Sequence, residues 1–258
     1  MMRKDSMRYV RFTRGGKVGY GALSGKTVRL LDRSFLQNAR LTGEKVRLSE
    51  VRLLAPVVPR TVMAIGLNYA DHAKESNMPI PEEPFLFLKT PGCIIGPGDP
   101  IRLVVPEHRN DYEAELVVVI RKRAHAVPAE KAHEFILGYT CGNDVSDRDY
   151  QKSDSQWTRS KGCDTYGPIG PVVTDEIDPH NVRIQTRLNG VVKQDSHTSQ
   201  MIFPVQRLIE HVTRYVTLVP GDVVFTGTPP GIGPMKAGDT VEVEIEGIGV
   251  LKNPVANA

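Results

Sequence analysis

Asp111-Tyr112-Glu113-Ala114-Glu115-Leu116-Val117-Val118-Val119-Ile120 is short, β-branched and apolar in its second half, the pattern of a buried strand. Side chains of a strand alternate between faces, so Glu113 and Glu115 project the same way. Two carboxylates held that close repel unless a cation sits with them. Alternating glutamates more often mark a solvated face, but the apolar run that follows argues for an interior strand. A second expected strand, residues 136–141, leads into Gly142-Asn143-Asp144 and adds a third carboxylate where a strand passes into a loop. Three carboxylates without a nearby Cys/His pair suit an oxygen-preferring ion, Mg2+ or Mn2+, better than zinc.

Outward from this stretch the chain is strand-rich. Residues 8–32 alternate apolar and polar positions around Gly15-Gly16 and Ser24-Gly25, which predicts a three-stranded meander. A short helix is expected over 34–40, an extended segment over 46–54, and a domain boundary near 56. One continuous domain with an N-terminal β-layer reads almost as well. Strands are expected at 62–66, 85–89, with Phe85, Phe87 and Lys89 on one face, and 101–105. Further strands are expected at 168–173 and 223–226. Asn189-Gly190 between 182–188 and 191–194 is a type I′ hairpin signal. Residues 240–245 and 250–251 suggest a last hairpin. Helical spacing is found at 70–75, 129–135 and 204–215. The sum is a β-dominated α+β fold, with residues 1–56 as a small β-rich domain and 57–258 as the catalytic one.

The 258 residues can bury a sizeable core, and a net charge of +3 with scattered basic residues gives no footing for nucleic acid. No apolar run is long enough for a bilayer, and no apolar segment follows the charged start, so no membrane partner and a cytoplasmic location are expected. Cys93, Cys141 and Cys163 are odd in number and lack metal spacing, which predicts reduced thiols.

His72 and Glu75 lie three apart on one helical face: either a surface ion pair of little worth, or a carboxylate orienting an imidazole as general base. Lys161 is either a solvated charge or, beside a metal, a cation for a developing enolate. Gly227-Thr-Pro-Pro-Gly-Ile-Gly233 is either a plain turn or a loop offering N–H groups and the Thr228 hydroxyl to a carboxylate. It is not a phosphate loop, for no Gly-Lys-Ser/Thr follows.

Five segments together resemble the fumarylacetoacetate hydrolase family: Asp-Tyr-Glu-Ala-Glu (111–115), Asn-Asp-Val-Ser-Asp-Arg-Asp (143–149), the run from Lys161 to Pro171, Leu-Asn-Gly-Val-Val-Lys-Gln-Asp (188–195), and the run from Pro220 to Gly233. The resemblance covers the chain from about Val62 onward. It implies a catalytic fold built on a rolled mixed β-sheet, a homodimer, and Mg2+ or Mn2+ in the site. It makes Glu113, Glu115 and Asp144 the metal ligands, Lys161 the catalytic lysine, and His72 with Glu75 a dyad on a lid. Arg148, Gln151 and Thr228 would contact the carboxylate and oxo groups of a small-molecule substrate. Asp147 and Cys163 depart from the residues common at these positions in the family, which bears on the choice of substrate.

The expected activity is C–C bond hydrolysis or decarboxylation of an acylpyruvate- or oxaloacetate-like 2-oxo acid through a metal-stabilised enolate. One alternative is an isomerase or decarboxylase of 2-hydroxyhepta-2,4-diene-1,7-dioate in aromatic-compound degradation. Another, of a different class, is a non-catalytic metal-binding oligomeric scaffold. Intact Lys161 and His72 argue against the scaffold, which needs neither.

Overall fold

The run that opened the sequence forms the strand Ala114–Ile120, and every one of its side chains is buried. In the computed structural model, which describes residues 7–258, this strand lies in the interior of a mixed 12-stranded sheet. Residues 1–6 of the first expected domain lie outside the described residues. Ile136–Asn143 and Val223–Phe225 flank the strand, both antiparallel, and Val223–Phe225 then pairs parallel with Val62–Ile65. Leu86–Lys89 closes that end of the sheet against Val62–Ile65.

On the other side the sheet runs from Ile136–Asn143 through Gly167–Thr174 to Arg8–Arg14, and on through Lys17–Ser24, Thr27–Leu31 and Leu41–Arg47. A pairing of Tyr9 with Val173 joins the N-terminal strands to the rest. A second sheet of five strands includes the hairpins Arg183–Leu188/Val191–His197 and Thr240–Ile245/Gly249–Asn257. Alternation along Ala114–Ile120 feeds two cores. Leu116, Val118 and Ile120 join one apolar cluster with helix Val205–Tyr215, while Val117 and Val119 join another with Val62 and Phe225. The fold is β-dominated, as the pattern predicted.

Asn189 and Gly190 both have positive φ, 52° and 80°, which a type I′ turn requires. Helix Ala70–Glu75 lies where the spacing placed it, and Phe85 and Phe87 both pack on Trp157, with ring centroids 5.1 Å away in each case. The expected helix over 34–40 is absent. Asp32 closes that loop instead, its backbone N–H donating to Arg40 O and its carboxylate accepting the Arg40 N–H at 2.9 Å, with Asn38 at positive φ. The expected extended segment over 46–54 is broken by a 3-10 turn, Leu48–Glu50, because the Glu50 carboxylate reaches back to the Arg47 N–H at 3.0 Å. The helix expected over 129–135 is a 3-10 helix, Ala129–Glu134.

Among the described residues no helix is long and apolar enough to cross a membrane. All three cysteines are free.

Candidate metal centre and substrate cavity

Glu115 faces Gly142 across the ladder, and the backbone N–H of Asp144 donates to Glu113 O at 2.9 Å. Strand pairing therefore brings the Asp144 carboxylate to the two glutamates that alternation puts on one face. Ligand atoms of Glu113, Glu115 and Asp144 lie within 4.8 Å of one another, and all three residues are buried. Asn143 braces the turn, its Oδ1 accepting the Glu113 N–H at 2.9 Å.

The carboxylates are held from every side. Lys161 Nζ stands 2.7 Å from both Glu113 Oε2 and Asp144 Oδ2. Lys89 Nζ stands 2.5 Å from Asp144 Oδ1 and also donates to the backbone carbonyl of Lys161. Arg148 reaches Glu113 Oε1 with Nη2, Asp111 Oδ2 with Nε at 2.8 Å, and Gln151 Oε1 with Nη1 at 2.7 Å. Burial pushes the Glu113 carboxyl up, but Lys161 and Arg148 outweigh it and hold the group below its ordinary range. Burial likewise disfavours the charged form of Lys89, and Asp144 reverses the direction.

Glu115 is different. Burial, then the charges of Asp144 and Glu113, drive its pKa well above the ordinary value, and the Lys161 charge and then the Gly227 N–H at 2.7 Å offset them only in part. A buried carboxyl in that position lacks a cation. The donor set is three hard oxygens, and the Lys161 amine already stands between two of them as a stand-in for a cation. Both features fit Mg2+ or Mn2+.

The loop after Val223–Phe225 approaches the cluster through Gly227, whose φ is +98° and where a Cβ would come within 2.7 Å of Asn68 Cβ. Its N–H serves Glu115 and is not left free for a ligand. Thr228 is buried, and its Oγ1 accepts from Gln194 Nε2 at 2.9 Å. On helix Ala70–Glu75, His72 Nδ1 lies 3.0 Å from Glu75 Oε2, and Glu75 Oε1 accepts the Gly231 N–H at 3.1 Å. The pair thus ties the short helix to the glycine-rich loop, which a plain surface ion pair would not do. With Nδ1 turned to a carboxylate, Nε2 is left as the acceptor. A cavity of about 450 Å³ is lined by His72, Glu113, Glu115, Arg148, Gln151, Lys161 and Thr228. Seven of the nine expected site residues line it, while Asp144 joins them through Lys161 and Glu75 through His72.

Two further residues escaped sequence reasoning. Lys89 was placed on a face with Phe85 and Phe87 but not in the site, although that shared face was the signal. Gln194 is fully buried in a hairpin strand that reads as polar surface. It accepts from the Ala114 N–H and Thr186 Oγ1, and it donates to Thr228 and Pro229 O. Asp147, the departure from the family pattern, caps helix Arg148–Ser153 through the N–H groups of Asp149 and Tyr150, and it also meets His108 Nδ1 at 2.8 Å.

The family profile described as fumarylacetoacetate (FAA) hydrolase C-terminal matches residues 61–256, and one described as Rv2993c-like, N-terminal matches 7–56. A crystal structure of 5-carboxymethyl-2-hydroxymuconate delta-isomerase from Mycobacterium smegmatis is similar with a TM-score of 0.92 and 42% identity, over 98% of this chain and 100% of that one. The mitochondrial oxaloacetate tautomerase fahd2 of Xenopus laevis is 44% identical over 80% of this chain and 69% of its own length. Maleylpyruvate hydrolase from Sphingobium sp. SYK-6, solved in complex with manganese (II) ion and pyruvate, is similar with a TM-score of 0.81 and 25% identity, over 98% of this chain and 100% of that one.

Proposed function

The chain belongs to the fumarylacetoacetate hydrolase family and is an enzyme of that family; from this premise we propose that it is a Mg2+- or Mn2+-dependent enzyme acting on a 2-oxo acid. The observation that carries this reading is the convergence of Glu113, Glu115 and Asp144, the two glutamates lining a cavity shared with His72 and Lys161. Those three carboxylates would hold the ion, which when bound supplies Lewis-acid polarisation of the substrate's oxo and carboxylate oxygens.

The chain's own residues do the rest. Arg148, Gln151 and Thr228 orient the substrate. Lys161 stabilises negative charge developing on the oxo oxygen and returns a proton to carbon. His72 Nε2 accepts a proton from water while Glu75 stabilises the resulting imidazolium, which hydrolysis needs and decarboxylation does not. In this reading the first expected domain, described from residue 7 to 56, is a small β-rich unit beside a catalytic domain at 57–258. The manganese and pyruvate of the Sphingobium complex support a divalent ion and a 2-oxo acid.

Isomerisation is the second reading, favoured by the printed activity of the Mycobacterium smegmatis neighbour. The scaffold alternative falls with membership of an enzyme family. Parallel assays on oxaloacetate, an acylpyruvate and 2-hydroxyhepta-2,4-diene-1,7-dioate test the proposal. Turnover of at least one that is lost in EDTA and restored by Mg2+ or Mn2+ is expected, and undiminished turnover in EDTA contradicts it.

A further inference from the structure

Arg148 and Gln151 enter the cavity from helix Arg148–Ser153, which leaves the short strand Ser146–Asp147 without an intervening loop. That strand pairs antiparallel with Asn110–Tyr112. Six residues make only about one and a half turns, too few to hold a helix unaided. Arg148 Nη1 donates to Gln151 Oε1 at 2.7 Å, so the two side chains move as one. Where this helix starts therefore decides where both groups point.

The start is set by Asp147. Its Oδ1 accepts the N–H groups of Asp149 at 3.1 Å and Tyr150 at 3.0 Å, two donors that a helix leaves without partners of its own. His108 Nδ1 lies 2.8 Å from Asp147 Oδ2 and 3.1 Å from Oδ1, and its ring meets Tyr150 edge-on with centroids 4.7 Å apart. His108 thus touches both the cap and the first turn. It is itself fixed: its N–H donates to Val105 O at 3.1 Å, and its carbonyl accepts from Nδ2 of the buried Asn110 at 3.0 Å. Neither Asp147 nor His108 lines the cavity, so both reach a ligand only through the helix.

Ligand atoms of His108, Asp147 and Asp149 also lie within 4.8 Å of one another. Asp147 is taken up by its cap and by His108, however, and Asp149 Oδ2 accepts the Arg109 N–H at 2.8 Å. The cluster is a brace, not a cation site. Its precision matters because Arg148 commits Nε to Asp111, Nη1 to Gln151 and Nη2 to Glu113. Only the second N–H of each terminal nitrogen is left for a ligand, and a planar guanidinium offers those in one orientation. The carboxylates of the metal centre do not depend on the helix in this way, for Glu113 and Asp144 are also held by Lys161.

We propose that Asp147, braced by His108, is a positioning residue for substrate binding: it fixes the start of the helix and with it the aim of Arg148 and Gln151. This inference rests on the metal-dependent reading above. Calorimetry of oxalate into the Mn2+-loaded protein tests it, beside a Mn2+ titration of the metal-free protein. Asp147→Ala is expected to weaken oxalate binding about fivefold or more, the effect of a lost helix cap, while Mn2+ affinity stays within about twofold. Asp147→Asn keeps an acceptor for the cap and should restore most of the wild-type affinity. His108→Ala should weaken oxalate in the same direction. Its side chain is 25% exposed, so this variant decides if Asp147→Ala does not fold. Wild-type oxalate affinity in the deciding variant, no rescue by Asp147→Asn, or a Mn2+ affinity that falls as far as that for oxalate overturns the positioning role. A wild type that binds no oxalate with Mn2+ would instead overturn the metal-dependent reading and this inference with it.

Discussion

Lys89 Nζ lies 2.5 Å from Asp144 Oδ1, with both side chains out of reach of solvent. The pair fixes one oxygen of a candidate metal ligand from the interior, and the same amine holds the backbone of Lys161. Replacing Lys89 takes one of two cations from the buried Asp144, which keeps Lys161 at 2.7 Å, and breaking a buried pair of this kind costs up to about 3–5 kcal/mol. Lys89→Met is therefore expected to destabilise the fold by about that much in urea unfolding, with part of the loss recovered in Lys89→Met/Asp144→Asn. A single variant as stable as the wild type would show the pair to be incidental.

Glu115 gives a prediction of the opposite kind. Its carboxyl is already pushed toward the neutral form by burial and by Asp144 and Glu113. Glu115→Gln keeps an acceptor for the Gly227 N–H, so in metal-free protein it should shift unfolding by less than about 1 kcal/mol. Mn2+ affinity should fall at least about tenfold. Because the wild-type group must lose its proton to bind a cation, Mn2+ affinity should also rise with pH in the wild type. Titrations at several pH values that show a flat affinity count against this role.

The His72–Glu75 pair separates two reactions. His72→Ala should reduce hydrolysis of an acylpyruvate by about 10²–10⁴-fold, the range for a lost general base. Decarboxylation of oxaloacetate, which needs no activated water, should fall far less. Equal losses on the two substrates would remove the water-activating role. Glu75→Gln should share the hydrolytic defect, since it weakens the hold on His72 Nδ1.

Gln194 uses both ends of its amide to join Ala114, Thr186, Thr228 and Pro229. Gln194→Leu strands several buried polar groups at about 1–3 kcal/mol each. Chemical denaturation should register a loss of about 3 kcal/mol or more, and Mn2+ affinity should suffer less than in Glu115→Gln. Near-neutral stability would mean that those groups find other partners.

Much of this centre was readable because its logic is local. Alternation puts Glu113 and Glu115 on one face, the apolar run after them makes the strand interior, and Asn189-Gly190 dictates its turn. Asp144 was legible as a strand end, and His72 with Glu75 as a helical pair. Lys89 and Gln194 were not, because a lone lysine or glutamine is ordinarily solvated, and only tertiary pairing reverses that. Gln194 meets Ala114 across 80 residues of chain, and Lys89 meets Asp144 across 55. The missing helix over 34–40 has the same origin: Asp32 supplies the loop with hydrogen bonds from outside the segment.

Calorimetric titration of oxalate, an enolate mimic, into the protein with Mg2+ and with EDTA tests the central claim most directly. Binding in Mg2+, absent in EDTA and lost in Glu113→Ala and Asp144→Ala variants that remain folded, is the predicted result. Oxalate binding of equal strength in EDTA would contradict it.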